Sequence, residues 1–223
     1  MPFISPTSAS LALPVSPERL DELRQQFTQN AYVICSRALS AERAGALRQR
    51  ALDIVQRHAR PIEQRSGEHV LRYRVVTGEV VRTEWPELFA MYRSAELREW
   101  VAAIAGLPTV FNSSHLQSAL NINALGEPGE IYRWHHDAAG LTLLLYLSDS
   151  RKQDGGALEM RASGAVETML PTAGTVVLMD GTRCLHRVSP IVRRHQRISV
   201  PMVFTPDPDH ERPAGLDDYL YRA

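Results

Sequence analysis

The sequence predicts a mainly β domain, a sandwich or barrel, with helices packed outside it. Three observations predict this. Apolar residues at helical spacing are confined to the first half, up to Gly106. After Leu107 the chain becomes a series of short apolar segments separated by Gly-, Pro- and Asp-containing turns. The 223 residues suit one domain with a substantial core, and they include no apolar run of about 18 residues that could span a membrane.

Residues 1–16, rich in Ser and Pro, read as a disordered tail. They lack the basic stretch followed by an apolar one that marks a secretion signal. Ser16-Pro17 then supplies an N-cap and a first-turn proline, and Leu20, Leu23 and Phe27 follow at helical spacing to about Asn30. Residues 31–35 (AYVIC) read as a strand. Ser40 caps a second helix with Ala44, Leu47, Ala51, Ile54 and Val55 on its apolar face. Alternation over 69–82, with Thr77-Gly78 as the turn, predicts a hairpin. Helical signals return at 86–92. Ser94 caps a further helix with Leu97, Trp100, Val101 and Ile104 buried and Gly106 as its stop. Strands are predicted over 115–123, 130–135, 141–147, 157–161, 175–179 and 198–205. The organisation expected is a tail (1–16), one domain (17–205; helical to 106, β from 107) and a C-terminal extension (206–223).

Basic and acidic residues balance at 25 each, which argues against a nucleic-acid partner. Two cysteines, Cys35 and Cys184, form no metal-binding spacing, and with no secretion signal they suggest a reducing, cytoplasmic setting. Oligomeric state is not legible.

The sharpest local feature is Trp134-His135-His136-Asp137. On a strand, residues two apart share a face, so His135 and Asp137 project together and His136 points away. An imidazole and a carboxylate give two ligands for a divalent metal, and a third would complete a facial triad. Alone, the pair reads more simply as an ion pair at a strand end. Downstream, Gly174–Asp180 and Thr182–Val188 form two strands around a turn and bring His186 within reach. Arg197 and Ser199 share one strand face 11 and 13 residues later, where a guanidinium could grip a carboxylate. The bland readings stand beside these. Trp134 is a packing residue on the outer face, Cys184 a small buried hydrophobe, and His115 a strand-end residue. His195 belongs to an exposed basic turn. Arg72 and Arg74 are either solvated or, at a barrel mouth, placed to meet a substrate carboxylate. Gly155-Gly156 marks a turn rather than a phosphate loop.

The ordered set His135, Asp137, His186, Arg197 and Ser199 resembles the iron(II)/2-oxoglutarate-dependent dioxygenase superfamily, in its prolyl-hydroxylase-like form. Gly155-Gly156 before a strand and Val188-Ser189-Pro190 after the distal histidine resemble it too. The resemblance covers about residues 115–205 and implies a double-stranded β-helix, or jelly roll, with the N-terminal helices on its major sheet. It implies that His135, Asp137 and His186 ligate iron(II). Arg197, assisted by Ser199, would hold the distal carboxylate of 2-oxoglutarate, with dioxygen as the second cosubstrate. Tyr132 stands where many members carry an aromatic residue near the cosubstrate. Asn123 and Asn121, two apart, are candidates for cosubstrate and substrate contact, and Arg74 for substrate contact. Gly126 departs from the family, which often has a tyrosine about nine residues before the first histidine. Halogenases of the superfamily lack the carboxylate ligand, so Asp137 favours hydroxylation.

The function implied is hydroxylation of a small molecule, such as a free amino acid or related metabolite, with release of succinate and carbon dioxide. Two alternatives remain: a protein side-chain (prolyl-type) hydroxylase, which needs an open groove, and a non-catalytic cupin-like metal binder, which has no need of Arg197.

Overall fold

The computed structural model describes residues 11–13, 15–66, 69–138, 140–161 and 164–210. Most of the expected tail and the C-terminal extension beyond residue 210 therefore lie outside the described residues. In chain order the elements are α1 (Pro17–Asn30), β1 (Tyr32–Cys35), α2 (Ala41–His58), β2 (Arg60–Ser66), β3 (His69–Val76), α3 (Gly78–Glu84), α4 (Pro86–Tyr92), α5 (Ala95–Ala105), β4 (Phe111–Asn112) and α6 (Leu116–Ala119). There follow β5 (Ile122–Leu125), β6 (Tyr132–His135), β7 (Leu141–Tyr146), a 3-10 turn (Lys152–Asp154), β8 (Leu158–Arg161), β9 (Glu167–Met169), β10 (Val176–Asp180), β11 (Leu185–Val188) and β12 (Arg197–Thr205).

The strands form two antiparallel sheets. The major sheet runs β1-β10-β7-β12-β5-β3-β2, with β4 on the end of β12, and the minor sheet runs β6-β11-β8-β9. β1 to β5 all join the major sheet; from β5 on the chain crosses between the sheets at every strand except the β8–β9 hairpin, as in a double-stranded β-helix. Strand alternation sorts the major sheet into two faces. Leu141, Leu143 and Leu145 of β7, with Ile198, Val200, Met202 and Phe204 of β12, meet the helices. There they pack with Leu23 and Phe27 of α1, Ala51 and Ile54 of α2, and Trp100 and Val101 of α5. Thr142, Leu144 and Tyr146, with Arg197, Ser199, Pro201 and Val203, turn the other way and line a cavity.

The helix ends follow the sequence signals. The hydroxyls of Ser16, Ser40 and Ser94 accept from backbone N–H groups three residues on, and Gly106 stops α5 in the left-handed region at φ 69°. Two expectations fail. The alternating segment at 69–82 does not fold back at Thr77-Gly78. β3 pairs with the preceding β2, from Arg60 opposite Val75 to Ser66 opposite His69, and Thr77-Gly78 opens α3. Gly78 is required there by close approach, since a Cβ would lie 2.1 Å from the Leu116 carbonyl oxygen. The expected strand at 115–123 is instead a helical turn, α6, followed by β5.

Trp85, between α3 and α4, is fully buried in the helix–sheet core. Truncation to alanine leaves a large cavity, so Trp85→Ala is expected to lose about 3–5 kcal/mol of stability. Urea unfolding would show this as a lower midpoint at unchanged slope. A loss below about 1 kcal/mol would mean that the core collapses to fill the gap.

Candidate metal centre

His135 ends β6 and His186 lies in β11, and the two are direct cross-strand partners in the minor sheet. Their ring centroids are 4.1 Å apart. Asp137 follows β6, and its backbone N–H donates to the Gly181 carbonyl at 2.9 Å, which ties it to the turn between β10 and β11. Its Oδ1 lies 3.4 Å from His135 Nε2 and 3.7 Å from His186 Nε2. One donor atom from each of the three residues falls within 4.8 Å of the other two.

The tautomers can be deduced. His135 Nδ1 is 2.8 Å from the Arg133 carbonyl oxygen and His186 Nδ1 is 2.9 Å from that of Cys184. A carbonyl only accepts, so each Nδ1 carries the hydrogen and each neutral Nε2 presents a lone pair. Two lone pairs and a carboxylate oxygen then face one another with no donor among them. Only a proton or a cation satisfies such a group, and fixing Nδ1 on a carbonyl is how proteins orient metal-binding histidines. Burial lowers the His186 pKa, with Asp137 opposing, and so favours the neutral, ligating form. Burial pushes the Asp137 carboxyl up. A proton at His135 Nε2, positive charge at the nearby His186 and the Thr142 hydroxyl outweigh this and hold it well below the usual carboxylate range, so the carboxylate favours positive charge at this point. The donor set therefore fits iron(II) in a facial triad.

The packing around Asp137 is close. The Thr142 hydroxyl donates to Oδ2 at 2.6 Å. A Cβ on Gly181 would lie 2.2 Å from the same oxygen, so only glycine fits that position. Gly181→Ala is expected to displace the carboxylate and weaken metal binding by about 10- to 100-fold, the range for disturbing a ligand's support. Manganese(II) titration of the folded variant measures this, and wild-type affinity would show that the turn yields instead.

The triad opens on a cavity of about 270 Å³ between the sheets. On its major-sheet wall, Arg197 is 2% exposed. Its Nε donates to the Gly156 carbonyl at 2.8 Å, its Nη1 to Ser199 Oγ at 3.4 Å and its Nη2 to the Tyr146 hydroxyl at 3.5 Å. The guanidinium also lies over the Tyr146 ring, 5.2 Å from its centroid. Among the described residues no acidic side chain pairs with it. A buried cation with neutral partners is costly unless an anion joins it. Gly155 and Gly156 (φ 76° and 72°) let the loop before β8 approach: a Gly156 Cβ would stand 3.1 Å from Arg197 Cδ.

Asn123, Ser199 and Tyr146 stand in register across β5, β12 and β7. Asn123 Oδ1 is buried without a hydrogen-bond partner, and Asn121 is buried one step along the same wall. Tyr132 lies 4.6 Å from His135 and 5.0 Å from Tyr73, centroid to centroid. Tyr132 and His135 both face inward although they are three residues apart. A β-bulge allows this, because Arg133 and Trp134 together span the single Arg187 of β11. Trp134 lies on the outside between the guanidiniums of Arg187 and Arg161, at 4.8 and 5.5 Å.

The structure thus brings His135, Asp137, His186, Arg197, Ser199, Asn123, Asn121 and Tyr132 to one cavity. It does not bring Arg74 there. On β3 the inward parity belongs to Leu71 and Tyr73, and Arg74 turns away, 3.9 Å from Glu130. His136, expected to point away, is exposed and lines the same cavity. Tyr146, Thr142, Gly181 and Tyr73 were not singled out from the sequence.

Comparison with solved structures finds the same fold in several proteins. The epimerase SnoN in complex with Fe3+, alpha ketoglutarate and nogalamycin RO is 16% identical with a TM-score of 0.72, over 92% of this chain and 90% of that one. A 2OG-Fe(II) oxygenase family oxidoreductase from Burkholderia pseudomallei is 14% identical with a TM-score of 0.69, over 92% and 100%. A Pseudomonas putida prolyl-4-hydroxylase is 19% identical with a TM-score of 0.61, over 83% and 98%. The family model described as Halogenase D matches residues 15–165, more than half of the chain, and the protein belongs to that family. No curated protein matches the chain.

Proposed function

We propose that the protein is an iron(II)- and 2-oxoglutarate-dependent oxygenase that hydroxylates a small molecule. The observation that carries this is a single cavity holding three converging metal-ligand lone pairs and a buried guanidinium with no acidic partner among the described residues. A pure metal binder has no use for that guanidinium. His135, Asp137 and His186 would hold iron(II). Arg197, with Ser199 and Tyr146, would hold the distal carboxylate of 2-oxoglutarate, and Asn123 Oδ1 would find a donor on a bound ligand. When bound, iron(II), 2-oxoglutarate and dioxygen supply an oxidant for a substrate C–H bond, with succinate and carbon dioxide leaving.

The chain's own residues orient and enclose. Arg197 and its neutral partners fix one end of the cosubstrate by paired hydrogen bonds. Tyr132 packs against His135 in a tilted ring contact that would keep its Nε2 aimed inward. Leu71, Leu144, Leu158 and Val188 form apolar walls that keep water away from the reacting bond. Asn121 and His136 stand where they can meet substrate.

Asp137 bears on the family's name. A halogenase of this superfamily uses the carboxylate's place for chloride, whereas here the carboxylate is present, hydrogen-bonded and closely packed. This supports hydroxylation. A lining of mostly apolar side chains with a few convergent polar groups is the make-up of a small-molecule site and supports that substrate class. Residues 17–205 would act as one domain. The free, buried Cys35 and Cys184 accord with a cytoplasmic location, and no helix among the described residues is long and apolar enough to cross a membrane. Succinate release is the test, screened first with free amino acids and related metabolites and then with prolyl peptides. Turnover on the first set is expected. Turnover on peptides alone would establish the prolyl-type alternative.

A further inference from the structure

Asp137 has two carboxylate oxygens in different surroundings. Oδ1 faces both imidazoles. Oδ2 is held by the Thr142 hydroxyl at 2.6 Å and lies against Gly181, where even a methyl group would not fit. Thr142 is buried, and its neighbours on the same face of β7 are Leu144 and Tyr146, so its hydroxyl is placed by the strand rather than by solvent. Turning the carboxylate to offer both oxygens to a metal would break this bond and leave a buried hydroxyl unpaired, which is unfavourable.

We propose that Thr142 is a positioning residue that keeps Asp137 a one-oxygen ligand and so preserves an open coordination position. The inference rests on the reading of the site as an iron(II)/2-oxoglutarate centre. An ion with six positions gives three to the triad and two to 2-oxoglutarate, which leaves one. A carboxylate with both oxygens free readily binds through both, and would fill it. Gly181 supports the same geometry from the other side by admitting Oδ2 where a side chain would exclude it.

The test is anaerobic nitric oxide titration of the iron(II)–2-oxoglutarate protein, followed by electron paramagnetic resonance, in wild type, Thr142→Val and Thr142→Ser. Valine keeps the shape and removes the donor. Loaded at saturating iron(II), Thr142→Val is expected to retain bound iron and to bind nitric oxide roughly tenfold or more weakly than wild type, of the order seen on losing a ligand's hydrogen-bond partner. Thr142→Ser is expected to restore wild-type binding. Wild-type nitric oxide affinity in Thr142→Val would overturn the proposal. So would failure of serine to restore it, or outright loss of iron, which would make Thr142 a requirement for binding metal rather than for keeping a position open. Should Thr142→Val not fold, Thr142→Ala carries the same expectations. If wild type gives no visible charge-transfer band with iron(II) and 2-oxoglutarate, the underlying reading has failed instead.

Discussion

Arg197→Met is expected to bind 2-oxoglutarate roughly two hundredfold to five thousandfold more weakly than wild type, since breaking a buried charge pair costs about 3–5 kcal/mol. The guanidinium is the only positive side chain on the inner face of β12, whose other inward residues are Ser199, Pro201 and Val203. Methionine fills similar space but offers no donor. Two smaller effects oppose each other in the ligand-free protein. The Gly156 carbonyl loses its donor, and a buried charge without an acidic partner is removed. Thermal stability without ligand should therefore change little, while the stabilisation that 2-oxoglutarate gives wild type should vanish. Unchanged KM for 2-oxoglutarate in Arg197→Met would separate this residue from the cosubstrate.

His135→Ala and His186→Ala are each expected to lower turnover by at least about 100-fold, the upper end of what losing a ligand's mere support costs. The two positions are not equivalent in their surroundings. His186 is buried, and its Nδ1 acceptor, the Cys184 carbonyl, belongs to a residue packed with Met160, Met179 and Tyr146. His135 is more open and is held by Tyr132 and the Arg133 carbonyl. His135→Ala should thus retain the fold, and the metal content of the purified variant should fall with its activity. Removing metal from wild type with a chelator should abolish turnover, and added iron(II) should restore it. A His135→Ala enzyme that turns over at the wild-type rate would remove the residue from the centre.

Much of this site was legible because strand alternation is strict where the ladder is regular. From Arg197 the count of two placed Ser199 on the same face, and the structure keeps it. The same count over 141–146 would have found Thr142 and Tyr146, the polar residues of an otherwise apolar strand; the six-residue segment looked like pure core. Tyr132 and His136 were harder. The bulge at Arg133–Trp134 breaks the period, and β6 ends before His136. Neither event leaves a Gly or Pro signal. The failed hairpin has a similar origin. Alternation identified β3 as a strand but not its partner. The true partner, β2, contains Pro61 and four charged or amide side chains, with Ile62 as its clearest buried apolar residue. Arg74 was misplaced with it: alternation put Arg72 and Arg74 on one face, but which face meets the cavity depends on β3 lying beside β5. Gly78 and Gly181 depend on contacts with residues 38 and 44 positions away in sequence, which no local pattern records.

Three side chains binding one ferrous ion beside a cosubstrate gripped by Arg197, as proposed, would give a visible signature. Anaerobic titration of the protein with iron(II) and 2-oxoglutarate, followed in the visible range, tests it most directly. Wild type should develop a weak charge-transfer band only when both are present. Arg197→Met should need far more 2-oxoglutarate to reach the same intensity, and His135→Ala should develop none. A wild-type protein that stays colourless with both components saturating, or a band of equal strength in all three proteins, would contradict the account.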